Sequence, residues 1–183
     1  MVGPDGKTEF QKNIDAVTKL LAQIPADSRV TVIGITDKSF AQPDILLSAS
    51  ISGDAGYFGE RLNAARSGLV RAWKARSSRL KPEYRHTDII GALLVASQVF
   101  GQHSDASNKM LVIFSDMRHQ THDLDIESPL RVPSISRLRK ESEIPVADLQ
   151  ENLREFWDNY FQETGATLDE YSVLREGPKM PSQ

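Results

Sequence analysis

The sequence predicts an open, mostly parallel, doubly wound α/β sheet with helices on both faces. Three observations carry that expectation. Short apolar runs rich in β-branched residues alternate with long stretches of helical periodicity. One run, KMLVIFSDMRHQT at 109–121, passes from the apolar Met110–Phe114 straight into Ser115-Asp116 and a polar loop. An unbroken apolar strand is buried on both faces, and a carboxylate at its C-terminal end lies on the rim where open α/β folds place ligands. Finally, 183 residues hold one full-sized core, and no interior stretch has a linker's composition. One domain over 1–176, followed by a tail at 177–183, is the expected organisation.

In chain order, Thr8 with Gln11 has the spacing of a capping box. Phe10, Ile14, Val17, Leu20, Leu21 and Ile24 then recur at helical spacing up to Pro25. RVTVIGI (29–35) follows as a strand, and Asp37-Lys38 and Pro43 mark a loop. ILLSASI (45–51) is a second strand, more alternating and so nearer a sheet edge. A long helix is expected over 57–80, with Phe58, Leu62, Leu69, Val70 and Trp73 as its apolar residues. Pro82 breaks it, and His86-Thr87-Asp88 opens the next helix. There Gly91, Ala92, Ala96 and Ser97 allow close packing, and Gly101 ends the element. The strand at 109–115 comes next. Residues 117–143 are polar and proline-punctuated, with a short helix near 134–140. Leu153, Phe156, Trp157, Tyr160 and Phe161 form the apolar side of a helix over 149–164, which Gly165 terminates. TLDEYSVLR (167–175) is the last expected strand.

Composition excludes several functions. A net charge of −3 gives no overall pull toward nucleic acid, so the basic run Arg61–Lys81 is read as a solvated helix face, with a nucleic-acid footprint as the weaker alternative. The absence of cysteine removes disulfides and thiolate metal sites without fixing a compartment. No apolar run approaches the roughly 20 residues of a membrane span. MVGPDGKTEF lacks the apolar core of a signal peptide, and the localisation is not legible. No Gly-rich phosphate loop or Gly-x-Ser-x-Gly elbow occurs, and Ser39 and Ser115 have no positioned histidine partner in the sequence.

Three features together resemble the von Willebrand factor type A domain. VIFSDM (112–117) resembles that family's strand ending in an aspartate; Thr87-Asp88 opens a small-residue helix one element upstream; and the order helix, strand, edge strand, long helix, helix, strand fits from Thr8 to Asp116. The resemblance implies a metal-ion-dependent adhesion site, with Thr87 as its second-loop ligand and Asp116 as its third-loop ligand. Hydroxyl and carboxylate oxygens are hard ligands suited to Mg²⁺ or Mn²⁺. An open coordination position would accept an acidic residue from a protein partner. The family's Asp-x-Ser-x-Ser motif and first central strand have no counterpart, so the chain is expected to start just after them and to lack that strand. Unpaired neighbouring strands would then favour self-association. The expected Ile144-Pro145-Val146 strand is too short and carries a proline.

The implied function is a non-enzymatic protein-interaction module with an incomplete adhesion site. The alternative is a divalent-metal-dependent hydrolase of phosphoesters using Asp116, Asp37 and the histidine loop. That loop, His119-Gln120-Thr121-His122-Asp123-Leu124-Asp125, carries metal-ligand residue types but matches no catalytic spacing and is expected to be a polar rim. Arg118 either orients an anion or pairs with an acidic neighbour. His86 and His103 are expected to be surface or capping groups.

Overall fold

The computed structural model describes residues 6–82, 86–103, 106, 108–115, 117 and 153–167, with only the backbone of 153–156. These residues form a mixed α/β arrangement of helices and one two-stranded antiparallel sheet.

Helix α1 (Glu9–Leu21) starts where the capping box predicts, the Gln11 amide donating to Thr8 Oγ1 at 3.2 Å. It ends at Leu21, and Pro25, which has no N–H to donate to the Leu21 carbonyl, keeps it from continuing. Strands β1 (Ser28–Gly34) and β2 (Asp44–Ile51) pair antiparallel, with Val30 opposite Ala49 and Val32 opposite Leu47. The register shifts between Val32 and Ile33, leaving Leu46 as the extra residue of a bulge.

Alternation along the two strands puts Val30, Val32, Leu47, Ala49 and Ile51 on one face, where they pack with Ile14, Val17, Leu21, Leu69 and Trp73. Leu69 and Trp73 come from α2 (Glu60–Ser77), which lies against both α1 and β2. The long helix expected over 57–80 is two elements. A 3₁₀ turn at Tyr57–Gly59 is separated from α2 by positive φ at Phe58 (53°) and Gly59 (75°), which an α-helix cannot contain.

Helix α3 (Ile89–Gln102) lies against β1, and α4 (Leu153–Glu163) joins it in a second core. Ile89, Ile90, Leu93, Met117, Trp157, Tyr160 and Phe161 form that core, with Ile35 and Ile113 packed against it. Trp157 is fully buried and meets Tyr160 edge-on at 5.5 Å between ring centroids. Gly165, at φ 78°, closes α4 with the Ala166 amide bonded to the Phe161 carbonyl at 2.8 Å, so the predicted terminator acts as one.

Two parts of the expected sheet are not seen among the described residues. The described strands are antiparallel, and no parallel, doubly wound sheet forms among the described residues. Residues 109–115, expected as a strand, carry no ladder there, and Met110 and Leu111 are 44% and 42% exposed. A strand needs a partner's backbone, and β1 bonds only to β2 among the described residues. Accordingly Val30, Val32, Ile33 and Ile35, an apolar set suited to burial on both faces, are each only half-buried. The expected short helix near 134–140, the Ile144–Val146 segment, most of the 167–175 strand and the tail lie outside the described residues. Among the described residues, no helix is long and apolar enough to cross a membrane.

Candidate functional site

The C-terminal end of β1 and the head of α3 meet through three polar residues buried to 5% exposure or less: Thr36, Ser39 and Asp88. The side-chain oxygens of all three are hydrogen-bonded, as burial requires. After Gly34 the chain turns back on itself. The Thr36 amide donates to Ser39 Oγ at 3.0 Å, Ser39 Oγ donates to the Thr36 carbonyl at 3.3 Å, and the Lys38 amide donates to Thr36 Oγ1 at 3.2 Å. The Thr36 carbonyl also accepts from the Asp88 amide at 2.8 Å, which joins this turn to α3.

Asp88 is the N-cap of α3. Its Oδ1 accepts from the Gly91 amide at 2.8 Å and its Oδ2 from the Phe40 amide at 3.4 Å. One carboxylate thereby satisfies an orphan helix donor and fixes the loop after β1, in the favourable field of a helix N-terminus. Thr87, expected as a metal ligand, is half-buried at the residue before this cap. It is not the cap itself, so capping makes no demand on its hydroxyl. Asp37 is half-buried in the adjoining turn.

Asp116 lies outside the described residues, so the pairing of Thr87 with Asp116 has no geometry here. Both neighbours of Asp116 are placed. Ser115 Oγ accepts from the Met117 amide at 3.1 Å. Met117, at φ 59° and 9% exposed, is held in the second core, and its carbonyl accepts from Trp157 Nε1 at 2.9 Å.

No family model matches this chain, and no curated protein or solved structure does either. The site therefore rests on its own chemistry. Thr87 offers a hard oxygen of the kind Mg²⁺ and Mn²⁺ accept. Both Asp88 oxygens are taken by backbone amides and serve structure. Among the described residues, no three His, Asp or Glu side chains group closely enough to hold a metal ion. The His119–Asp125 loop and Arg118 lie outside the described residues. His103, expected on the surface or at a cap, is the residue that ends α3, with its Nδ1 accepting from Arg29 Nη1 at 2.9 Å. His86 is half-buried beside Thr87.

Sequence reasoning missed Thr36 and Ser39. Their signal is the T-x-x-S spacing directly after a strand, where a hydroxyl three residues on can bond the backbone. It also gave Gly91 a packing role against the sheet. The structure gives a nearer cause, the Asp88 carboxylate lying over the Gly91 α-carbon.

Proposed function

We propose that the chain is a protein-interaction module resembling the von Willebrand factor type A domain, with an incomplete metal-ion-dependent adhesion site. One observation carries this reading. Thr87 stands at the head of α3, held to the C-terminal end of β1 by the Asp88–Thr36 hydrogen bond, at the place the family gives its second-loop ligand. The succession of α1, β1, an antiparallel edge strand β2, α2 and α3 supports the same reading. So do the half-buried apolar residues of β1, which suit a mostly parallel sheet completed by a further strand.

In this reading Thr87 and Asp116 are ligands of Mg²⁺ or Mn²⁺. The metal, when bound, supplies an open position for a carboxylate of the partner protein. The protein's part is to hold the Thr87 hydroxyl at a fixed height above the sheet rim, through Asp88, Thr36 and Ser39. Two ligands without the Asp-x-Ser-x-Ser loop give weak binding, since divalent cations of this kind take at least six oxygens in all. Among the described residues β1 pairs only with β2, and self-association through strand pairing on its other side is part of the proposal.

Calorimetric titration with Mg²⁺ and Mn²⁺ tests it. Weak binding, lost with Asp116→Ala and kept with His119→Ala, is the expected result. Submillimolar affinity that His119→Ala abolishes and Asp116→Ala leaves intact would assign the metal to the histidine loop and remove the adhesion reading.

A further inference from the structure

An open groove of about 620 Å³ runs between α1 and the C-terminal end of α2. Phe10 and Ile14 of α1 and Leu80, in the turn after α2, give it an apolar lining, and all three are half-buried. Lys7, Lys19 and Lys74 also line it, and Asp15 is the one carboxylate among the described lining residues. Lys7 is bonded to Asp15. Lys19 and Lys74 are exposed and form no ion pair among the described residues.

The two walls are locked together. Trp73, 1% exposed, donates its indole N–H to Thr18 Oγ1 at 3.1 Å and to the Ile14 carbonyl at 3.3 Å. Thr18 in turn donates to the Ile14 carbonyl at 2.8 Å, so one hydrogen-bonded knot holds α2 against the groove wall. The Leu80 amide bonds the Ser77 carbonyl at 3.1 Å, which fixes the turn that carries Leu80. A groove built this way loses little conformational entropy on binding.

We infer that this groove binds a linear acidic peptide, one large apolar side chain resting on Phe10, Ile14 and Leu80 between flanking carboxylates. Among the described lining residues, three ammonium groups against a single, already paired carboxylate give the groove a positive field, and the apolar lining excludes a purely ionic ligand. Its open side suits a chain that passes through, whereas small molecules are held in pockets that enclose most of their surface. Nucleic acid needs a longer track of cations along its phosphates than three lysines supply. The groove draws only on α1, α2 and the adjoining turn, so it goes beyond the metal-site reading and stands independently of it.

The probe is a fluorescein-labelled peptide EELFEE, followed by anisotropy at low salt with the full chain. Saturable binding is expected, weakened at least about tenfold by Lys19→Glu/Lys74→Glu and less than about twofold by the charge-matched Arg71→Glu/Lys109→Glu. The uncharged QQLFQQ and the apolar-free EEGGEE should each bind at least about tenfold more weakly than EELFEE. Amide shifts of the wild-type protein should move in residues 10–19 and 74–80, a readout that does not depend on any variant folding. No saturation up to about 1 mM would overturn the inference. Equal weakening by the two double variants, equal binding of QQLFQQ, or shifts confined to other elements would overturn it as well.

Discussion

A methyl group on Gly91 would stand 1.9 Å from Oδ2 and 2.5 Å from Cγ of Asp88. The contact belongs to a carboxylate that is 5% exposed and holds both α3 and the loop after β1, so it has no room to retreat. Gly91→Ala is therefore expected to destabilise the fold by about 2–3 kcal/mol, although alanine is the better helix former, because the cap must break. Asp88→Ala should cost a similar amount, and the double variant should cost less than the sum. Urea denaturation of the three variants checks this, and a stabilising Gly91→Ala would contradict it.

The Met117 carbonyl has a buried indole N–H as its partner, at 2.9 Å. Trp157→Phe keeps an aromatic ring in the second core but leaves that carbonyl unanswered and a void beside it. A loss of about 2–4 kcal/mol is expected in thermal or urea unfolding. Because Met117 adjoins Asp116, the same variant should also shift the amide resonances of 115–117 before unfolding begins.

Phe58 combines φ 53° with complete exposure, and its ring meets only the exposed Tyr57 ring among the described residues, at 6.5 Å between centroids, so little packing offsets the backbone strain. Phe58→Asn places a residue that tolerates the left-handed region there, and a gain of about 0.5–1 kcal/mol is expected. A fall in melting temperature would show that the ring is anchored in the folded protein.

A hydrogen bond from Lys7 outweighs the opposing effect of burial and, with smaller help from the Lys7 charge, a hydrogen bond from Gln11 and the Lys19 charge, holds the Asp15 carboxyl below its ordinary value of 3.8. A depressed folded pKa stabilises the fold at pH values above the unfolded pKa, and that contribution disappears as pH falls through the folded one. Both side chains are more than a third exposed, at 49% and 39%, so solvent screens the pair and it contributes less than about 1 kcal/mol. Lys7→Gln should therefore be slightly less stable than the wild type at pH 6, with the gap closing as the pH falls below the ordinary carboxylate range. A gap that persists at low pH would contradict the assignment.

Much of the local structure was legible because its causes are local. Thr8 with Gln11 announces α1, Gly165 announces the end of α4, and the alternation of 45–51 marks a strand. Phe58 was not legible, since nothing in an apolar helical pattern signals a left-handed residue inside it. The ladder expected at 109–115 depends on a partner strand elsewhere in space, which periodicity within the run cannot report. At the candidate site, Thr87 was recognisable as the opening of a helix. The Thr36–Ser39–Asp88 latch was not, because it joins residues 52 apart in sequence, from Thr36 to Asp88, through backbone groups that carry no compositional mark.

The central claim is that Thr87 and Asp116 belong to one metal site, and paramagnetic NMR with Mn²⁺ tests it most directly. In the full chain, substoichiometric Mn²⁺ should broaden the amides of Thr87, Asp88 and 115–117 together, and Asp116→Ala should abolish the effect at all of them. Broadening centred on 119–125, untouched by Asp116→Ala and removed by His119→Ala, would contradict it.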